Sequence, residues 1–414
     1  YADDGIHGWE LWKSDGTAAG TVLLKDINPG KYEAAHITWD WNKGSFSNGA
    51  NPGPFVAMGG TIYFYAYDDA HGGELWKSDG TAAGTVIVKD INTKPSGDGT
   101  ATKASTMCCL TAVGTTLYFS ADDGIHGNEL WKSDGTAAGT VMVKDINFGE
   151  TIYGAKPSSS NPGSRQGEEP EVFAAIGNTI YFNAQSGSLT APKLGNELWK
   201  SDGTEAGTVM VKDINPAMQS ASSGASGGAY WITVIGTTLF FWADDGTHGQ
   251  ELWTSDGTAA GTVMVKDIRP GFPSSQMGNL MVVGTTLYFS ANDGTHGKEL
   301  WKSDGTTAGT VMVKDINSGY GDGYSPTNAK PPTAIGTTIY FRANDGIHGD
   351  ELWKSDGTAA GTVMVKDVNT GPDYSTGNYQ TQFAKRGSYH YCGSTNCGSN
   401  SKELSLNVID DVLY

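Results

Sequence analysis

The chain has 414 residues, 58 of them glycine, and a formal net charge of −18 at neutral pH. That acidic balance argues against nucleic acid or an anionic membrane as partner, because both would repel it. No apolar run is long enough to span a bilayer as a helix, and no segment combines helical periodicity with a capping box.

Length alone suggests two or three domains, but one unit recurs seven times and overrides that expectation. Its Glu-Leu-Trp falls at Glu10, Glu74, Glu129, Glu197, Glu251, Glu299 and Glu351, at intervals of 48 to 68 residues. Repeats on this scale mark a propeller or a solenoid. In the third copy, ELWKS and TVMVKDI alternate apolar with polar residues and are rich in β-formers. SDGTAAGT between them supplies the Gly positions a hairpin turn needs. Upstream, LTAVGTTLYFSA reads as a second hairpin with its corner at Gly-Thr-Thr. Four antiparallel strands, A to D, make one propeller blade.

The expected fold is therefore all-β: a seven-bladed β-propeller of four-stranded antiparallel blades in a single domain, 1–414. Blade 1 starts late in the repeat and is completed from the far end of the chain, 403–414 plus 1–27, by aligning Val408–Tyr414 with Val113–Phe119. Strand pairing of the two ends would close the ring and remove free sheet edges. Blades 2 to 7 follow at 55–91, 109–146, 171–214, 230–268, 279–316 and 331–368. Trp12, Trp76, Trp131, Trp199, Trp253, Trp301 and Trp353 are expected in the core between blades. The lysine of each VKDI run (Lys89 in blade 2) is expected to guard an outer edge against pairing with another chain.

Strand alternation puts the B–C loops and the D–A connectors on one face, and all length variation lies there. Variable loops on a rigid scaffold are where binding resides. His7, His71, His126, His248, His296 and His348 occupy near-identical B–C turns, which local hydrogen bonds explain better than a metal or a proton relay. The fourth loop, QSGSLTAPKLGNE, has no His and marks the asymmetric point. Asp122, Asp123, Asp244 and Asp245 are candidate Ca2+ ligands, since oxygen-rich Gly turns can hold that ion, although the spacing is not that of an EF-hand. Connector and strand-A aromatics, Trp39, Trp41, Tyr230, Trp231, Tyr320, Tyr324 and Tyr389 with His390, suit stacking on a sugar ring. They could equally cover the mouth of the propeller.

Cys108, Cys109, Cys392 and Cys397 lie outside the repeat units and read as disulfides of an oxidising compartment. The pairing expected is Cys108–Cys109 and Cys392–Cys397, with a zinc site as the alternative. No HExxH, GxSxG or phosphate-cradling loop occurs. Carboxylates are too numerous for a glycosidase pair to be picked out. The missing signal peptide suggests a chain that begins after processing or trimming.

The repeated ELWKSDGT-x-AGT resembles the ELWxxDGT repeat of hyalin-like secreted and surface-exposed bacterial proteins. Thr254, Glu205 and Thr307 depart from it in the fifth, fourth and sixth copies. The resemblance covers the whole chain and implies an extracellular or periplasmic place and a role in adhesion or assembly, with no active site to carry over. The leading expectation is a binding module whose partner is a surface glycan or another extracellular protein. The alternative is an extracellular enzyme, a glycan hydrolase or lyase or a cofactor-dependent oxidoreductase, with its site in the central funnel. A purely structural subunit of a larger surface assembly is the third.

Overall fold

In the computed structural model every copy of the repeat folds into an antiparallel sheet, and the strands follow one another in chain order. The residues described are 1–29, 39–40, 45–46, 49–94, 105, 107–146, 173–188, 191–216, 227–271, 273–318, 321–324, 332–367, 408–409 and 412–413. The architecture is that of an all-β propeller of seven blades, without helices among these residues. Blade 3 shows the pattern: strand A Cys108–Val113, B Thr116–Asp122, C Asn128–Ser133 and D Val141–Lys144. Six sheets have four strands; the first has three, Ala2–Asp3, Trp9–Lys13 and Val22–Lys25.

The expected completion of blade 1 by residues 403–414 lies outside the described pairing. Val408–Ile409 pairs with Val412–Leu413, with Ile409 opposite Val412. That shifts the hairpin by one residue from the alignment expected above.

The chain divides into two compact units, 1–232 and 233–414. In the first, strand B of blade 3 buries both faces, with Leu117, Phe119 and Ala121 at 0% exposure on one and Tyr118 on the other. The Phe119 face joins Tyr63, Leu75 and Val88 of blade 2 in one core cluster. The Tyr118 face joins Ile180, Phe182 and Trp199 of blade 4 in another. Blades 1 and 2 share a third, built on Leu11, Phe64 and Trp76. The second unit repeats the arrangement between blades 6 and 7, through Tyr288, Leu300, Phe341 and Trp353. Six of the seven repeated tryptophans are buried core residues as expected, and Trp12 is half-buried.

Polar side chains also bridge consecutive blades. Lys77 Nζ donates to the Gly135 carbonyl at 2.8 Å and Lys89 Nζ to the Thr140 carbonyl at 2.7 Å. In the second unit Lys302 and Lys314 make the same two bonds to Gly357 and Thr362, both at 2.8 Å. The VKDI lysines therefore do not simply guard an edge. They lie far enough out on strand D for a four-carbon stem to reach the next blade, where a carbonyl and a Trp face offer more than solvent does.

The SDGT corner is self-contained. Asp134 Oδ1 accepts from Thr136 N and Oγ1, Thr136 Oγ1 accepts from Gly139 N, and Ser133 and Thr140 share a hydroxyl bond at 2.7 Å. The fourth-loop insertion extends its hairpin, as strands Thr179–Ser188 and Ala191–Ser201 with two breaks in register.

Candidate functional site

At the loop end of every blade but the fourth two acidic positions are built into the backbone, and the fourth has only the second. The first is in the B–C turn. Asp123 Oδ1 accepts from Ile125 N and His126 N, and its Oδ2 meets His126 Nδ1 at 2.7 Å. Asp4, Asp68, Asp245, Asp293 and Asp345 hold His7, His71, His248, His296 and His348 in the same way. Hydrogen bonds from the His7 and Ile6 backbone and the His7 ring lower the Asp4 carboxyl to about 2. At Asp245 and Asp293 burial pushes upward, but bonds from His and Thr outweigh it and both fall to about 2. The bond to Asp raises His7, His248, His296 and His348 above the ordinary imidazole value.

Of the expected Ca2+ ligands, Asp123 and Asp245 thus serve their histidines, and Asp122 and Asp244 each take a Gly N–H, from Gly124 at 2.6 Å and Gly246 at 2.8 Å. Among the described residues no group of three or more His, Cys, Asp or Glu could hold a metal ion.

The second acidic position was missed by the sequence reading. The glutamate of Glu-Leu-Trp is buried in all seven blades, at 0–1% exposure. Its oxygens accept backbone N–H groups from the end of strand D and, in several blades, from the connector. Glu10 takes Ile27, Asn28 and Ala50 at 2.8, 3.2 and 3.0 Å. Glu299 takes Ile316, Asn317 and Gly323 at 2.9, 3.3 and 3.0 Å. Gly227 serves Glu197 in blade 4 at 3.2 Å. Burial outweighs these donors and raises Glu74 to about 8 and Glu197, Glu251 and Glu299 to about 7. The sequence signal was available: a charged residue repeated inside an apolar strand needs an internal partner.

Of the predicted aromatic residues, Trp39, Tyr230, Trp231 and Tyr324 lie among the described residues. Trp39 sits on a short strand, Trp39–Asp40, paired with Ser45–Phe46. Tyr230 and Trp231 open strand A of blade 5 and are half-buried, Trp231 at φ +55°. Tyr324 is a correction: at 3% exposure it packs edge-on against Phe341 in the core between blades 6 and 7. A large ring that reaches the gap between blades gains more by burial than on an open loop. Trp41, Tyr320, Tyr389, His390, Cys392 and Cys397 lie outside the described residues.

Cys108 and Cys109 are not joined to each other. Cys109, at φ +64°, lies at a bulge where strand A slips register between Cys108 and Thr111, and both side chains pack against the core between blades 3 and 4. Cys109 is buried in that core and Cys108 half-buried beside it, in place of the vicinal bridge that was expected.

Two aromatic residues that the sequence reading passed over are exposed at the loop end of blade 1. Trp9 directly precedes Glu10 and is 40% exposed, and Tyr1 is 67% exposed. Their ring centroids are 5.4 Å apart at 62°.

No protein family matches the chain, and no curated protein is similar to it. Solved structures are. TolB from Acinetobacter baumannii is similar at 11% identity and a TM-score of 0.34, over 73% of this chain and 63% of that one. Oligopeptidase B from Leishmania major is similar at 13% identity and a TM-score of 0.41, over 76% of this chain and 41% of that one. The β-propeller domain of the trilobed protease from Pyrococcus furiosus gives 11% identity and a TM-score of 0.36, over 78% and 88%. The chain thus spans less than two thirds of TolB and of the oligopeptidase. Likeness at this level conveys nothing about activity.

Proposed function

We propose that the chain is an extracellular binding module of the ELWxxDGT-repeat type, which recognises its partner with the connectors and B–C loops, and that the partner is a carbohydrate. The observation that carries this reading is the buried glutamate. In blades 1, 4 and 6 it ties connectors of different length to one fixed point on the blade, so sequence can vary outside that anchor without disturbing the strands. A rigid repeat with tolerant loops on one face suits recognition. The recurring acids that a hydrolase would need are engaged elsewhere, the glutamates by backbone N–H groups and the B–C aspartates by their own turns. That favours a binder over the hydrolase alternative. The test is a glycan array probed with the purified chain in Ca2+ and again in EDTA. Binding to a defined set of glycans supports the reading, and its loss in EDTA would add a metal to it. Silence on the array, with the protein folded in both buffers, would overturn it.

A further inference from the structure

We propose that Tyr1 and Trp9 form a stacking platform for a pyranose ring at the loop end of the first blade, an inference that rests on the carbohydrate reading above. The position ahead of the repeated glutamate is Gly73, Asn128, Asn196, Gln250, Lys298 and Asp350 in the other six copies. Six copies show that the blade itself asks for no aromatic ring there. The first copy alone places an indole, and leaves 40% of it in water.

The indole is held firmly for an exposed group. Trp9 lies on strand C, paired with Asp3. The first connector returns along it: Gly49 forms a parallel bridge with Trp9, and Asn51 N donates to the Trp9 carbonyl at 3.0 Å. The approach is so close that a Cβ on Gly49, at φ +115°, would stand 2.3 Å from Trp9 N. Ala50, between them, donates to Glu10 and accepts from Tyr67 N at 2.8 Å. A ring whose backbone is pinned on three sides loses little entropy when a ligand settles on it.

The chemistry fits a sugar better than a lipid surface or a cation. Tyr1 stands edge-on to Trp9, so the two rings make an angled cleft with one broad apolar wall and a phenol at its side. An indole face takes the C–H face of a pyranose, and a phenol or imidazole at the rim meets the hydroxyls that point outward. His7, two residues away, is half-exposed and uses Nδ1 on Asp4. Its Nε2 is therefore not needed by the turn. A net charge of −18 disfavours an anionic membrane as occupant.

The experiment is affinity electrophoresis of the full chain through gels containing neutral polysaccharides, namely β-glucan, mannan, xylan and galactan, beside a gel without polysaccharide. Trp9→Ala, Trp9→Phe and Tyr1→Ala are run next to the parent, and thermal melts report whether each is folded. The expected result is retardation of the parent by at least one gel, weakened about tenfold or more by Trp9→Ala and less by Trp9→Phe, which keeps a ring. Equal retardation of the parent and a folded Trp9→Ala would overturn this platform and leave the carbohydrate reading standing. A parent retarded by none of the gels and silent on the glycan array would remove both.

Discussion

Lys89 of blade 2 stands over Trp131 of blade 3, its Nζ 5.7 Å from the indole centroid, while the same ammonium donates to the Thr140 carbonyl at 2.7 Å. One cation thus clamps the core residue and the hairpin corner of the next blade. The pattern returns in the second unit, where Lys314 lies 5.7 Å from Trp353 and donates to Thr362. A half-buried cation–π contact and a charged hydrogen bond together are worth about 1–3 kcal/mol. Lys89→Met, which keeps the apolar stem, should therefore lower unfolding free energy by about that amount. A denaturant melt of the first unit's transition checks this, and an unchanged midpoint would mean that the clamp is ornamental.

Gly135 and Gly16 occupy the same corner in blades 3 and 1, at φ +87° and +88°, but differ in surroundings. A Cβ on Gly135 would stand 2.2 Å from the Tyr63 hydroxyl of blade 2, whereas one on Gly16 would meet nothing within 4 Å. Both substitutions to Ala carry the left-handed backbone cost of about 1–2 kcal/mol. Gly135→Ala must also displace Tyr63, which is 6% exposed. It should lower the melting temperature clearly more than Gly16→Ala does. Equal shifts would show that Tyr63 yields freely.

The strands, turns and core were legible because each depends on local pattern. Apolar alternation, Asp-Gly corners and a repeated Trp leave one reading when seven copies agree. What was not legible depends on reach beyond a residue's own strand. Lys89 reads as an edge residue from its own strand, and only the neighbouring blade turns it into a bridge. Glu74 reads as an acid near a Gly turn until Ile91 and Asn92, which follow strand D of its own blade, donate to it at 3.0 and 3.3 Å. Trp9 and Trp12 are three residues apart on one strand, and nothing in composition says that the second is half-buried while the first is more exposed.

The Asp–His turns predict a titration. The bond from Asp245 at 2.7 Å holds His248 charged to higher pH than an ordinary imidazole. Asp245→Ala removes that bond and, with it, the acceptor of two backbone N–H groups, those of Thr247 and His248. The His248 ring should then titrate close to the model-peptide value of about 6.5, followed by NMR of its ring protons. Stability follows the same sign. The raised His contributes fully below the unfolded value and loses that contribution as pH rises through the folded one. A His248 titration unmoved by Asp245→Ala would place the cause elsewhere.

The buried glutamates set the pH dependence of the fold as a whole. Four of them have folded values well above the unfolded 4.5, about 8 for Glu74 and about 7 for Glu197, Glu251 and Glu299. The folded state therefore binds more protons than the unfolded chain between those limits. Stability is greatest below the unfolded value and falls as pH rises through 7 to 8, the reverse of a salt-bridged acid. The histidines push in the same direction, and the B–C aspartates, at about 2, lose their contribution only in stronger acid. Melting temperature should accordingly fall from pH 5.5 to 8.5. Glu74→Gln keeps the shape and one acceptor oxygen but cannot ionise, so it should flatten part of that slope while costing about 1–3 kcal/mol at low pH for the mismatched N–H. A slope identical to that of the parent would mean that Glu74 does not titrate in this range, and that the anchor is held in one protonation state throughout.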